Sequence, residues 1–597
     1  MIEPRIYRAA FLPAVIAVVV LMFSFESQPP ALSSELSADV LFDGEQAASA
    51  GETIARQAPD RRPGTPGDSA TAERVQAGFE AAGFETQLDR FRSGGVQLTN
   101  VIGRRSGATA EQIVVLAPRD AASVPDAAGS ATDTATLLEL ARVLEGRASQ
   151  RTLVLVSAGG STLGNAGARR FAETMPGGDR VEAVLTLSDL GATRGGEPDL
   201  VTWSNDSARV GIGLERTAAA TLRGEIDDVA VGEGLSSEFA HLALPLGVGA
   251  QGVLIDRGLD AVRFSGTGEL PPLEGTGELP PPEGPEEIDA AKVGALGRSV
   301  LQTISAIDSG PRLEGGPESY LVVAENVIPG WTVSLLTIAL ILPALIASID
   351  ALARARRRRE PVAPWMPWIA AAVAPFVIGL LVALALVLTG RAPDAPPAAF
   401  PPAAEPLDGA AAAVLGVVAA ATALAWVFAR PALARARGGG GDPAAPGAAC
   451  AIALVLSVLA VAVWALNPFA GLAVVPALHL WIVAVTSERR GFGGRILLVL
   501  GGLALPVSLG VFYLERLALG PLEGAWYLLL LVTGGQVGLL PALAGCVLLG
   551  LLGSILAVVI ARGRSPEGGE ERRPAVRGPR GYAGPGSLGG TESALRR

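Results

Sequence analysis

Residues 329–349 read Pro329-Gly-Trp-Thr-Val-Ser-Leu-Leu-Thr-Ile-Ala-Leu-Ile-Leu-Pro-Ala-Leu-Ile-Ala-Ser-Ile349, without one ionisable side chain. About 20 apolar residues cover the hydrocarbon core of a bilayer, and a chain in lipid must satisfy its own backbone, so this run predicts a membrane-spanning helix. It ends at Arg354 and the run Arg356 to Arg359, a basic cluster of the kind kept on the cytoplasmic face. Similar runs follow at about Met366 to Leu388, Gly409 to Phe428, Ala448 to Leu466, Ala470 to Val485 and Ile496 to Leu514. Between them, Arg430, Arg435, Arg437, Arg489, Arg490 and Arg495 mark the same inner side. The stretch Ala525 to Ala561 predicts an interfacial or re-entrant piece carrying Trp526 and Tyr527, then one span from about Val537.

The N-terminus repeats the pattern. Arg5 and Arg8 precede the apolar run Ala9 to Phe25, and Phe23-Ser24-Phe25-Glu26-Ser27 is a poor small-x-small cleavage site, which predicts an uncleaved signal anchor. The expected organisation has five parts. Residues 1–25 form the first span, and 26–310 an extracytoplasmic domain with a Pro/Glu-rich loop at 266–287. Residues 311–328 are a linker, 329–561 a membrane domain of about seven helices, and 562–597 a disordered cytoplasmic tail. The loop holds a direct repeat, Gly266 to Glu274 recurring as Gly275 to Glu283, read as neutral duplication.

A length of 597 residues, 50% of them hydrophobic, leaves room for one soluble core beside such a bundle. A net charge of -11 argues against a nucleic-acid partner, since phosphate binding needs a basic face, and leaves the lipid bilayer as the predicted surroundings. Lys292 is the only lysine, and the Arg, Ala, Gly and Pro bias suits a GC-rich bacterium, hence a bacterial plasma membrane. Cys450 and Cys546 sit in apolar runs and form neither a disulfide framework nor a metal-ligand spacing.

The outer half alternates helix and strand. Helices are predicted at Ser69 to Ala82, capped by Asp68 or Ser69, at Thr132 to Leu144, Ala166 to Met175 and Ile288 to Ile307. Buried strands are predicted at Gln112 to Leu116, Arg151 to Ser157, Val181 to Leu187 and Gly252 to Ile255. Continuous apolar strands between helices imply an α/β domain, a mostly parallel sheet covered on both faces, joined to an all-α membrane bundle.

Three ordered segments carry a resemblance. Ile113-Val-Val-Leu-Ala-Pro118-Arg-Asp120 looks like a strand ending in Ala-His-x-Asp. Leu137-Leu-Glu139-Leu-Ala-Arg-Val-Leu144 is similar to the helix after a bridging Asp. Thr152-Leu-Val-Leu-Val-Ser157, running to Gly164 and Phe171, resembles a strand, Glu-Glu turn and helix. Together they resemble metallopeptidase family 28, the co-catalytic zinc aminopeptidases. In plan, one anchor, an outer domain and a bundle also resemble the peptidase-like subunit of GPI transamidase.

That resemblance implies two zinc ions held by about five His, Asp and Glu ligands, with a Glu as base. Matched residue by residue, Pro118 stands at the first His, Gly129 at the bridging Asp, and Ser161 and Thr162 at the Glu-Glu pair. Asp189 matches the fourth ligand within one residue, and Phe264-Ser265-Gly266 the closing His. Asp120 keeps its identity without its partner, so Asp120→Ala should cost only modest stability. A bulky residue at Gly129 should block the cleft without unfolding the domain.

The outer half has one histidine, His241, read as structural at the start of a helix. His479, inside a span, is the membrane candidate, read as a neutral ring bonding a neighbouring helix. These readings predict a catalytically inactive pseudoenzyme with no metal and no cofactor, whose cleft of Pro118, Asp120, Gly129, Ser161, Thr162 and Asp189 binds a peptide, lipoprotein or envelope partner. The alternatives are an active zinc aminopeptidase with an atypical site, and a carrier or lipid-handling module under an outer cap.

Overall fold

The computed structural model describes residues 3–33, 41–121, 124–175, 180–227, 229, 232–270, 287–436, 441–487 and 490–564. Most of the 266–287 loop, Arg437, Arg489 and the tail from residue 565 lie outside them.

The strands are β1 (Glu26–Ser27), β2 (Glu85–Ser93), β3 (Val96–Arg105), β4 (Gln112–Pro118), β5 (Thr152–Ala158) and β6 (Val181–Ser188). After them come β7 (Asp199–Val201), β8 (Ala261–Ser265), β9 (Tyr320–Val323) and β10 (Asn326–Pro329). Seven form one sheet in the order β2-β3-β5-β4-β6-β8-β7. The inner strands β5, β4, β6 and β8 run parallel, and their side chains are buried on both faces. The edges are antiparallel: β2 and β3 on one side, β7 on the other. The sheet is therefore mixed, with a parallel centre and antiparallel edges. The β2–β3 hairpin went unread because Glu85-Thr-Gln-Leu-Asp-Arg-Phe-Arg92 is too polar to look like a buried strand; its turn uses Gly94 and Gly95 at φ +56° and +77°.

Helix Thr132–Leu144 lies against the sheet through Leu137, Leu140 and Ala141, and helix Ala290–Ser309 through Val293, Leu296, Val300 and Ile304. Two local readings are corrected. Residues 250–255 form a short helix, Ala250–Ile255, not a strand, and β8 follows at Ala261. A run of four apolar residues carries no period that separates the two. Helix Pro66–Ala81 starts three residues earlier than expected, with Thr65 as cap, because Asp68 turns inward to Arg119 at 2.7 Å.

Residues 311–328 are not a plain linker. β9 and β10 pair with each other and with β1, so the chain entering the domain is stitched to the chain leaving it. Tyr320 anchors this small sheet, its hydroxyl oxygen lying 2.7 Å from both Val210 O and Glu215 Oε2, between which its single proton is shared.

Among the described residues, eight helices are long and apolar enough to cross a membrane: Pro4–Phe23, Gly330–Arg357, Trp365–Leu388, Gly409–Arg435, Pro446–Leu466, Pro468–Thr486, Phe492–Arg516 and Leu539–Arg564. A shorter helix, Pro521–Gly534, precedes the last. Its two aromatic rings are buried. Trp526 Nε1 donates to Glu405 O at 3.0 Å and Tyr527 Oη to Phe400 O at 2.7 Å, so both are buried against the loop joining the third and fourth apolar helices. His479 sits between the Tyr7 hydroxyl, 2.5 Å from Nδ1, and Leu340 O, 3.0 Å from Nε2.

Candidate functional site

Parallel strands end together, and the loops that leave them meet above the sheet edge. Pro118 closes β4, Ser161 and Thr162 follow β5, Asp189 follows β6, and Gly129 lies in the turn Ala127–Ala131 before helix Thr132–Leu144. With Asp120, all six line one cavity of about 440 Å³.

Asp120 is buried and fully occupied. Its Oδ1 accepts Ser161 N at 2.8 Å and Ser161 Oγ at 2.9 Å. Its Oδ2 accepts Thr162 N at 3.0 Å and Thr162 Oγ1 at 2.8 Å. Arg119, between Pro118 and Asp120, points the other way into the core, held by Asp68 and by Thr99 O at 2.8 Å.

Gly129 is not open space. A Cβ there would lie 2.2 Å from Asp126 Oδ1 and 3.2 Å from Asp189 Oδ1. Asp126, at φ +53°, thus folds its carboxylate into the volume a side chain at 129 would take, and it accepts Ser130 N at 3.2 Å and Ser130 Oγ at 2.5 Å. Beneath it, buried Asp133 accepts the amides of Asp189 and Leu190 at 2.9 and 3.0 Å. Burial, with Asp189 close by, holds the Asp133 carboxyl well above the ordinary aspartate range.

Residues 100–238 match the model of peptidase family M28. No curated protein matches the chain. Among solved structures, a Zn-dependent exopeptidase from Parabacteroides distasonis is 15% identical, with 44% of this chain and 98% of that chain covered at a TM-score of 0.36. The zinc aminopeptidase BSAP from Bacillus subtilis is 13% identical, with 46% and 98% covered and a TM-score of 0.36. Glutaminyl cyclase from Porphyromonas gingivalis is 17% identical, with 44% and 98% covered and a TM-score of 0.33.

The two-zinc ligand set that the family resemblance implies is not reproduced at the matched positions of this M28-like cleft. Pro118 and Gly129 have no donor atom, the Ser161 and Thr162 hydroxyls are spent on Asp120, and both Asp133 oxygens take backbone amides. Among the described residues, three metal-type ligands converge only elsewhere, at Glu233, His241 and Glu269.

Sequence reasoning missed the cleft's outer wall. Pro401, Ala403 and Ala404 line the cavity, and Pro396 packs on Gly164, so the loop between the third and fourth apolar helices closes one side. The sequence of that loop, Ala392 to Leu407, is Pro-rich, and the apolar Phe400 within it was the available signal.

The Glu233, His241 and Glu269 group lies where the α/β domain meets the seventh apolar helix. His241 falls in the last turn of helix Leu235–Ala243, not at a helix start. Its ring stacks on Trp203 at 4.3 Å and 6°, and Tyr513 Oη lies 3.4 Å from Nδ1. Arg516 bonds Glu233 Oε1 at 2.5 Å and Glu269 Oε2 at 2.6 Å. Burial works to raise the Glu233 carboxyl, but His241 and Arg516 outweigh it and hold it down at about 2.

Proposed function

We propose that this chain is a membrane-anchored, M28-like pseudoenzyme whose cleft binds an extended segment of a peptide, lipoprotein or envelope partner without hydrolysing it. The observation that carries this reading is the use of Asp120. In the family pattern that carboxylate steadies a metal-binding His; here it is spent on the two hydroxyl residues that stand at the Glu-Glu positions. Neither Pro118 nor Gly129 brings a side-chain donor, and the Ser161 and Thr162 hydroxyls that stand at the Glu-Glu positions are no general base. What remains is a concave site with backbone and small groups, suited to backbone hydrogen bonds and apolar contact. The loop from the bundle that walls it couples anything bound there to the membrane half. The basic clusters at 354–359 and 430–435 support an orientation with the α/β domain outside a bacterial plasma membrane.

A photo-crosslinking residue at Asn165, on the cleft rim, tests this in membranes. The expected result is a discrete adduct from Asn165 that is absent from the same residue at exposed Glu73, with no release of amino acids from unblocked peptides. Identical adducts from both positions, or zinc-dependent peptide hydrolysis, would count against it.

A further inference from the structure

Away from the cleft, Glu233, His241 and Glu269 each point one ligand atom toward the others, all within 4.8 Å. His241 Nε2 is 3.3 Å from Glu233 Oε2 and 4.0 Å from Glu269 Oε2. Despite that closeness, His241 Nε2, Glu233 Oε2 and Glu269 Oε1 have no hydrogen-bond partner. His241 is 2% exposed and Glu269 5%. Buried polar atoms left unpaired are uncommon, and three that converge share one missing partner.

We propose that this cluster binds one divalent metal ion of the zinc type. Tetrahedral bonds of 2.0–2.1 Å set neighbouring ligand atoms about 3.3 Å apart, which the His241–Glu233 edge already meets. The third ligand atom, from Glu269, already lies within 4.8 Å of both. Arg516 does not take the inward atoms: it bonds Glu233 through Oε1 and Glu269 through Oε2. With the ion in place of the His241 Nε2 proton, two carboxylates and one guanidinium leave one net negative charge for it to meet.

The surroundings fix the ring for this role. Tyr513 donates its hydroxyl proton to Leu244 O, so its oxygen is free to accept from His241 Nδ1, which leaves the Nε2 lone pair facing the carboxylates. Trp203 holds the ring plane. Glu233 also lines a neighbouring cavity of about 570 Å³, which gives an ion a way in. The three ligands belong to the α/β domain, and Tyr513 and Arg516 belong to the seventh apolar helix. The ion thereby fastens the domain to the bundle, independently of what the cleft does.

The test uses full-length protein in detergent, stripped with chelator, dialysed and titrated with Zn²⁺ alone. One equivalent should bind and raise the melting temperature. His241→Ala and Glu233→Gln should each lose it, whereas Asp189→Asn should bind as the unaltered chain does. Glu233 is partly exposed, so its isosteric change serves even where His241→Ala does not fold. An unaltered chain that binds no zinc, or an equivalent that survives both substitutions, overturns the proposal. An equivalent lost only in Asp189→Asn places the ion in the cleft, which overturns this proposal and the pseudoenzyme reading together.

Discussion

Asp120 accepts both the amide and the hydroxyl of Ser161, at 2.8 and 2.9 Å, and repeats the arrangement with Thr162. A residue expected to have lost its partner has gained two. Asp120→Ala leaves amides and hydroxyls of this loop without an acceptor, so the modest cost expected from sequence is too small. The expected loss is about 2–4 kcal/mol, since hydrogen bonds to a charged group are the stronger kind and buried orphans are costly. Denaturant unfolding of the full chain in detergent measures it, and Asp120→Asn should recover part of it.

Gly129 is similarly constrained. A Cβ there meets Asp126 Oδ1 at 2.2 Å, and Asp126 is tied to Ser130. Gly129→Ala should therefore lower stability by about 1–3 kcal/mol by displacing that carboxylate. A bulky residue at 129 would report on folding before it reported on partner capture. The same denaturant experiment decides this: an unchanged midpoint means Asp126 moves freely.

Stability should also depend on Asp260, at the base of β8. Burial pushes its carboxyl from an ordinary 3.8 up to about 7, even though Gly211 N donates to it at 2.6 Å. The folded chain holds this proton from pH 3.8 to about 7 while the unfolded chain has released it, so stability falls as pH rises through that window. Asp260→Asn should abolish this part of the slope. Melting of both chains at several pH values checks it; parallel curves would mean that Asp260 titrates normally.

Orientation is open to a labelling experiment. Ser69 and Arg358 are exposed, on the α/β domain and just past the C-terminal end of the second apolar helix, and the native Cys450 and Cys546 are buried. Single cysteines at the two exposed positions should react differently with an impermeant reagent on intact cells, Ser69→Cys strongly and Arg358→Cys not at all. The opposite pattern reverses the topology.

How much could be read beforehand follows from the physics of each element. The apolar helices were legible because lipid leaves no alternative to long uncharged runs. β4, β5 and β6 were legible because strands buried on both faces are apolar throughout. The β2–β3 hairpin was not, since an edge ribbon tolerates polar residues on alternate positions. The helix at 250–255 was misread because four apolar residues have no period. Within the cleft, the positions of Pro118, Gly129, Ser161 and Thr162 followed from the residue-by-residue match to the family pattern. Asp126 filling the space above Gly129 depends on a φ of +53° that sequence does not announce. The wall of Pro401 and Ala403, and the meeting of His241 with Tyr513 and Arg516, join residues more than a hundred positions apart, and no local pattern signals such contacts.

The pseudoenzyme reading proposed above requires that the M28-like cleft hold no metal centre. Crystals of the full-length chain, grown with zinc and measured at the zinc absorption edge, address it most directly. The cavity lined by Asp120, Asp126 and Asp189 should show no anomalous peak, whatever is bound at Glu233, His241 and Glu269. A peak within coordination distance of Asp126 or Asp189 would contradict that reading.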